Sequence, residues 1–233
     1  LGLSISTKFM PIFLLLPIAF IFLRRNQISG AVRYFLITAA TFTAINLPVY
    51  LTTPEGWLRF YQLNLSRGSD WGSLWYALSS LGVNLGNTNF FAILALAVAV
   101  LVVSLLIFST KETVQLADVS FIVLALVMIA SKVYSPQYVL WLVPLAVIAM
   151  TRSKDVHAFW IWQIAEVLYH IAIWQHLAIV TEAKFGLPLT GYALISLIRI
   201  AACLYFVVVL IKKASQGGQF PHEFLFKSAD SYP

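Results

Sequence analysis

The feature that most constrains this chain is a series of about seven long apolar stretches, separated by short polar breaks and nearly free of charge. They run near 9–23, 32–51, 90–108, 117–131, 137–150, 158–180 and 191–211. A helix crosses a bilayer with about 20 apolar residues, because every backbone polar group must be satisfied within the segment. The series predicts an all-α fold: a polytopic transmembrane helical bundle of about seven spans over 1–214, then a loose cytoplasmic tail over 215–233. Three stretches (9–23, 117–131 and 137–150) are short for a span. The last carries Pro144 at its centre and is expected to cross with little tilt or to lie partly re-entrant. With 61% hydrophobic and only 10% charged residues, the chain is not an ordinary soluble domain. The single cysteine, Cys203, excludes an intrachain disulfide.

The net charge of +6 reads as membrane anchoring, with nucleic acid excluded as a partner, because the cations gather at alternate connections. Arg24, Arg25 and Arg33 flank the first, Lys111 lies in the third, Arg152 and Lys154 in the fifth, and Lys212 and Lys213 follow the last stretch. The positive-inside rule puts these on the cytoplasmic face of a multi-pass plasma-membrane protein, with the C-terminus inside and the long connection 52–89 outside. That connection is itself apolar in places. Thr53, Pro54 and Glu55 form a helix start of capping hydroxyl, first-turn proline and first-turn acid. Trp57, Phe60, Tyr61 and Leu65 then fall on one face, as do Trp71, Leu74, Trp75 and Leu78 in a second run. Two amphipathic interfacial helices are expected, either as a packed loop or as a platform over a cavity admitting a lipid-linked substrate.

Two places can carry chemistry. In the first, Ser135 and Pro136 are suited to open a helix whose first-turn N–H groups and dipole favour an anion. Lys132 adds a charge, and Tyr134, Gln137 and Tyr138 add neutral donors, so a phosphate fits here; the plainer alternative is a lysine reaching for headgroups beside a helix cap. In the second, Glu166 and Arg199 lie about 15 and 18 Å from the cytoplasmic ends of their helices, at matching depth in an antiparallel pair. Unpaired charges there are costly, so the two are expected to pair inside the bundle. Gln163 and His170 extend Glu166 into a polar stripe, read as a proton path, a substrate contact or, more simply, interhelical glue. Glycine-loop, dinucleotide, H-E-x-x-H and G-x-S-x-G motifs are absent, and His157, His170, His176 and His222 have no metal-ligand spacing, so no metal or cofactor is implied. Asp70 is the weak candidate for a catalytic acid or base in the long connection.

The run KVYSPQYVLWLVP over 132–144 resembles a signature of bacterial integral membrane glycosyltransferases of family 87, polytopic GT-C enzymes of actinomycete-type bacteria. STKFMPIFLLLP over 6–17, FYQLNLSRGSDWGSLWY over 60–76 and WQIAEVLYHIAIW over 162–174 are similar to further parts of that family, in the same order along the chain. The resemblance implies transfer of a hexose, mannose-like, from a polyprenyl-phosphate sugar donor to a cell-envelope glycolipid or glycan acceptor on the extracytoplasmic side; a pentose is the variant. It implies a donor phosphate near Lys132, Tyr134, Ser135, Gln137 and Tyr138, with Arg67 able to share the charge. It also implies a catalytic acid in the family's first outward loop, so this chain is expected to be the C-terminal part of such an enzyme without that acid. The competing class is a transporter or lipid flippase with Gln163, Glu166, His170 and Arg199 along its path, for which inverted repeats and paired broken helices would be expected and are not found.

Overall fold

The computed structural model describes residues 1–83, 85–110 and 114–216. Lys111, His222 and nearly all of the expected tail lie outside the described residues. The described residues are helical, without strands. In chain order they form α1 (Gly2–Thr7), a 3-10 turn (Met10–Leu14) leading into α2 (Leu15–Arg24), α3 (Ile28–Thr52), α4 (Pro54–Ser66), α5 (Leu74–Ser80), α6 (Thr88–Ser109) and α7 (Leu116–Ala130). A second 3-10 turn (Pro136–Tyr138) then leads into α8 (Val139–Ala149), followed by α9 (Ser153–Val180) and α10 (Leu189–Ser215).

Each of the seven apolar stretches falls on a helix, and among the described residues α3, α6, α9 and α10 are long and apolar enough to cross a membrane. The chain is therefore membrane-associated through four such helices, and α2, α7 and α8 are shorter apolar helices. Burial does not follow length. In α7, 12 of 15 residues are buried, beneath α6, α8, α10 and the turn Met10–Leu14. At about 1.5 Å per residue α7 spans roughly 22 Å and forms a central post of the bundle. By contrast, α3 runs for 25 residues and buries only Ala31 and Thr38. Its apolar side chains, Leu36 and Ile37 among them, face outward as lipid-facing side chains do.

The connection between α3 and α6 only partly follows expectation. Pro54 and Glu55 do open α4, but Thr53 makes no side-chain cap. No residue of α4 is buried. Trp57 Nε1 donates to Asn46 Oδ1 at 2.9 Å, and Phe9 meets Phe60 and Tyr61 edge-on, so α4 leans on α3 and the start of the chain. α5 does not lie free on a surface. It packs on α10, buries Trp75 and Ala77, and sends Trp75 Nε1 to the Ala130 carbonyl at the end of α7 (2.8 Å). The residues that cap helices here are Ser73, accepting from the Tyr76 N–H, and Asn87, accepting from the Phe90 N–H.

The cations expected as free anchors divide likewise. Arg25 and Arg33 are exposed. Arg24 donates to the Ile107 and Thr110 carbonyls at the end of α6. Lys213 is buried, donating to Asp118 Oδ1 (2.6 Å) and to the Ala149 carbonyl that ends α8. Arg152 pairs with Asp155 at 2.8 Å. A cation at a helix C-terminus satisfies orphan carbonyls and opposes the dipole, so Arg24 and Lys213 hold helix ends together.

Candidate functional site

α9 and α10 are consecutive helices packed along their length, and this places Glu166 against Arg199. Arg199 Nε donates to Glu166 Oε2 at 2.7 Å, and both side chains are almost wholly buried. Buried charges are tolerated only where every lone pair and proton finds a partner. Here Glu166 Oε1 accepts from Trp162 Nε1 at 2.9 Å and from the Tyr134 hydroxyl at 3.5 Å. The other nitrogens of Arg199 reach main chain: Nη1 donates to the Tyr134 carbonyl at 2.9 Å and Nη2 to the Ser135 carbonyl at 3.4 Å. Its guanidinium lies between the rings of Tyr134 (3.7 Å) and Tyr169 (4.2 Å), a double cation–π contact.

The rest of the expected polar stripe does not join this centre. His170 Nδ1 contacts the Glu166 main-chain carbonyl (2.8 Å), and the Gln163 amide nitrogen is buried without a hydrogen-bond partner. Positions three and four apart on a helix differ by −60° and +40°, so only Glu166 faces α10 squarely. The stripe is not a connected path.

Two segments close over Arg199. One is 131–138, where Tyr134 is fully buried. Its ring and hydroxyl serve Arg199 and Glu166, so Tyr134 is not an open ligand for a phosphate. Ser135 makes no side-chain cap; Pro136 starts a 3-10 turn, with the Tyr138 N–H returning to the Ser135 carbonyl at 3.1 Å. Gln137 is exposed. The other segment is 67–73, whose Gly72 has φ +78°, a region open to glycine. A β-carbon there would collide with the Tyr134 carbonyl and the Tyr169 hydroxyl and stand 3.2 Å from Arg199 Nη1. The Tyr169 hydroxyl lies 3.0 Å from that of Tyr192, and His176 stacks on the Tyr192 ring. Gly72, Trp162, Tyr169 and Tyr192 are not legible in the sequence as parts of this centre: aromatics at helical spacing look like ordinary core, and only the packing of α9 on α10 reveals their partners.

Lys132 joins the two segments. Its carbonyl accepts the Asp70 N–H at 2.8 Å, and its amine donates to the Leu65 (3.3 Å) and Arg67 carbonyls at the end of α4. Two of its three protons thus cap a helix, leaving one for any anion. Partial burial and then the neighbouring Arg67 charge draw the amine below its ordinary pKa. Arg67 pairs with Asp70, and both are partly exposed. Partial burial alone would raise the Asp70 carboxyl, but the Trp71 N–H and the Arg67 guanidinium outweigh it and hold it below the usual value. A carboxylate held low is a weak proton acceptor, which counts against Asp70 as a catalytic base.

At the same end of the bundle, Lys8 lies 4.5 Å over the Trp141 ring, and Tyr138 stacks on that ring at 4.5 Å. The next residue, Phe9, helps line an apolar groove of about 380 Å³ between the turn Met10–Leu14, α2, α6 and α7. Phe13, Pro17, Phe20, Val103 and Val127 form much of its wall. A second apolar groove, of about 220 Å³, lies among α5, α6, α7 and α10. Neither is lined by Lys132 or Glu166. Among the described residues, no group of three His, Cys, Asp or Glu side chains could share a metal ion. Comparison with protein-family models, with curated proteins and with solved structures found no match.

Proposed function

We propose that this chain binds a polyprenyl-phosphate sugar and belongs to a membrane glycosyltransferase that moves the hexose to a glycolipid or glycan on the extracytoplasmic side. The observation that carries the reading is an apolar groove lined in part by Phe9, the residue that directly follows the exposed Lys8. A groove with an almost wholly apolar wall suits a prenyl chain, and a cation at its end suits the phosphate that such a chain carries. Lys8, Arg67 and the last proton of Lys132 supply positive charge at that end. As the sugar departs, negative charge grows on the donor phosphate, and cations held ready there stabilise the transition state. Support also comes from the sequence resemblance of 6–17, 60–76, 132–144 and 162–174 to family 87 enzymes. In this reading the seven apolar helices all lie within the membrane, with Lys8 and Lys132 on the outer face and Arg24, Arg152 and Lys213 on the inner one. The closed Glu166–Arg199 pair lines neither groove, so it gives the transport reading no pathway.

The test is photolabelling of the protein in membranes with a photoreactive polyprenyl phosphate. The reading predicts labelled peptides from 9–20 and 96–103, competition by unmodified polyprenyl phosphate, and weak competition by the neutral polyprenol. Equal competition by polyprenol and by phosphatidylglycerol would mark the groove as a seat for bulk lipid and overturn the proposal.

A further inference from the structure

We infer that Arg199 is a positioning residue: it fixes the backbone of the turn leading to Gln137 and, through Gly72, the loop that holds Asp70. This rests on the donor reading only for its effect on substrate, not for its effect on structure. The argument is one of geometry. Tyr134 and Ser135 are successive residues, and one planar guanidinium takes both their carbonyls while its Nε is locked on Glu166. A rigid fork can do this; the single ammonium of a lysine cannot hold three directions in one plane. Pro136 already confines Ser135 to extended backbone, seen here at φ −59°, ψ 149°. With both carbonyls held as well, the chain enters the 3-10 turn in one conformation.

The second segment rests on the same group. Gly72 approaches Arg199, Tyr134 and Tyr169 so closely that no side chain fits. Two residues earlier, the Asp70 N–H bonds the Lys132 carbonyl and ties the segments to each other. Arg67, Lys132 and Gln137 therefore stand on two loops that share one buried support. Simple glue between α9 and α10 would need only the contacts with Glu166 and Tyr169; the two carbonyl bonds and the Tyr134 ring are on segment 131–138, outside α9.

Hydrogen exchange in membrane-mimetic discs tests this through two variants. Arg199→Lys keeps the charge beside Glu166 and removes the fork. The double variant Glu166→Gln with Arg199→Met removes both charges and keeps the volume between the helices, a replacement that buried pairs often tolerate. The expected result in both is exchange faster by about tenfold or more at the Asp70 and Tyr138 amides, with mid-helix amides of α9 and α10 unchanged. In a transfer assay of the complete parent enzyme with polyprenyl-phosphate hexose, the KM for donor rises in Arg199→Lys while kcat changes little. Unchanged exchange at Asp70 and Tyr138, or loss of protection spread along α9 and α10, would overturn the inference. If the wild type transfers no sugar, the donor reading fails, and the exchange result still decides the role of Arg199.

Discussion

At the scale of single residues, the energetics of the Glu166–Arg199 pair follow from its burial. Removing one partner leaves the other charged and without its counterion, which in buried pairs costs about 3–5 kcal/mol. Arg199→Ala and Glu166→Ala should each lower the thermal unfolding temperature sharply, whereas the neutral double variant should lower it much less; equal losses in all three would show that the pairing contributes little. Gly72→Ala should be destabilising too, since φ +78° and the meeting with the Tyr134 carbonyl both oppose a β-carbon. The Arg67–Asp70 bridge gives a pH effect of defined sign. Its folded carboxyl pKa is depressed, so its stabilisation is present above the unfolded carboxylate value of about 4 and is lost as pH falls through the lower folded value. Because the pair is partly exposed, the effect is at most about 1 kcal/mol. Exchange at the Asp70 amide should quicken below about pH 4 relative to a control amide, and Asp70→Asn should abolish that dependence. The pairing of Glu166 with Arg199 could be read from depth alone, since helical rise converts sequence distance into height. The burial of Tyr134 could not: a tyrosine before Ser-Pro can point either way, and only Arg199 and Tyr169 decide its direction.

At the scale of elements, α3 and α7 are both predominantly apolar, yet one faces outward and the other fills the core. Hydropathy cannot separate these cases, because lipid and protein interior ask for the same side chains. Length carried part of the answer: 117–131 was already short for a span, and α7 proves to be an enclosed post. The difference predicts opposite mutational outcomes. Phe121 is fully buried against Phe206 and Trp162, with ring centroids at 4.8 and 5.5 Å, so Phe121→Ala should cost about 3–5 kcal/mol in an unfolding assay. Leu36→Ala on α3, where the side chain is 64% exposed, should change stability little. The amphipathic runs of the long connection were legible as helices, but not which of them would be drawn inward. Trp75 decides that, since its indole N–H finds the Ala130 carbonyl only when α5 lies against the bundle.

At the scale of the molecule, two ends differ in kind. At one, Arg24, Lys213 and Arg152 close helix termini and form ion pairs, binding α6, α7, α8, α9 and α10 into a fixed base. At the other, Lys132 and Arg67 stand on the two segments packed over buried Arg199, and Lys8 lies over Trp141, next in sequence to Phe9 of the apolar groove. Such a layout suits a ligand with an anionic head and a long apolar tail. The most direct measurement is transfer of radiolabelled hexose from a polyprenyl-phosphate donor in membranes carrying the complete enzyme to which this chain is proposed to belong, comparing wild type with Lys8→Ala and Lys132→Ala. The account predicts transfer by the wild type and a rise in donor KM in both variants at equal protein level, larger for Lys8→Ala because most of the Lys132 amine is engaged in capping α4. Transfer unchanged in both variants would remove these cations from the donor site, and no transfer by the wild type from hexose or pentose donors would contradict the proposed function itself.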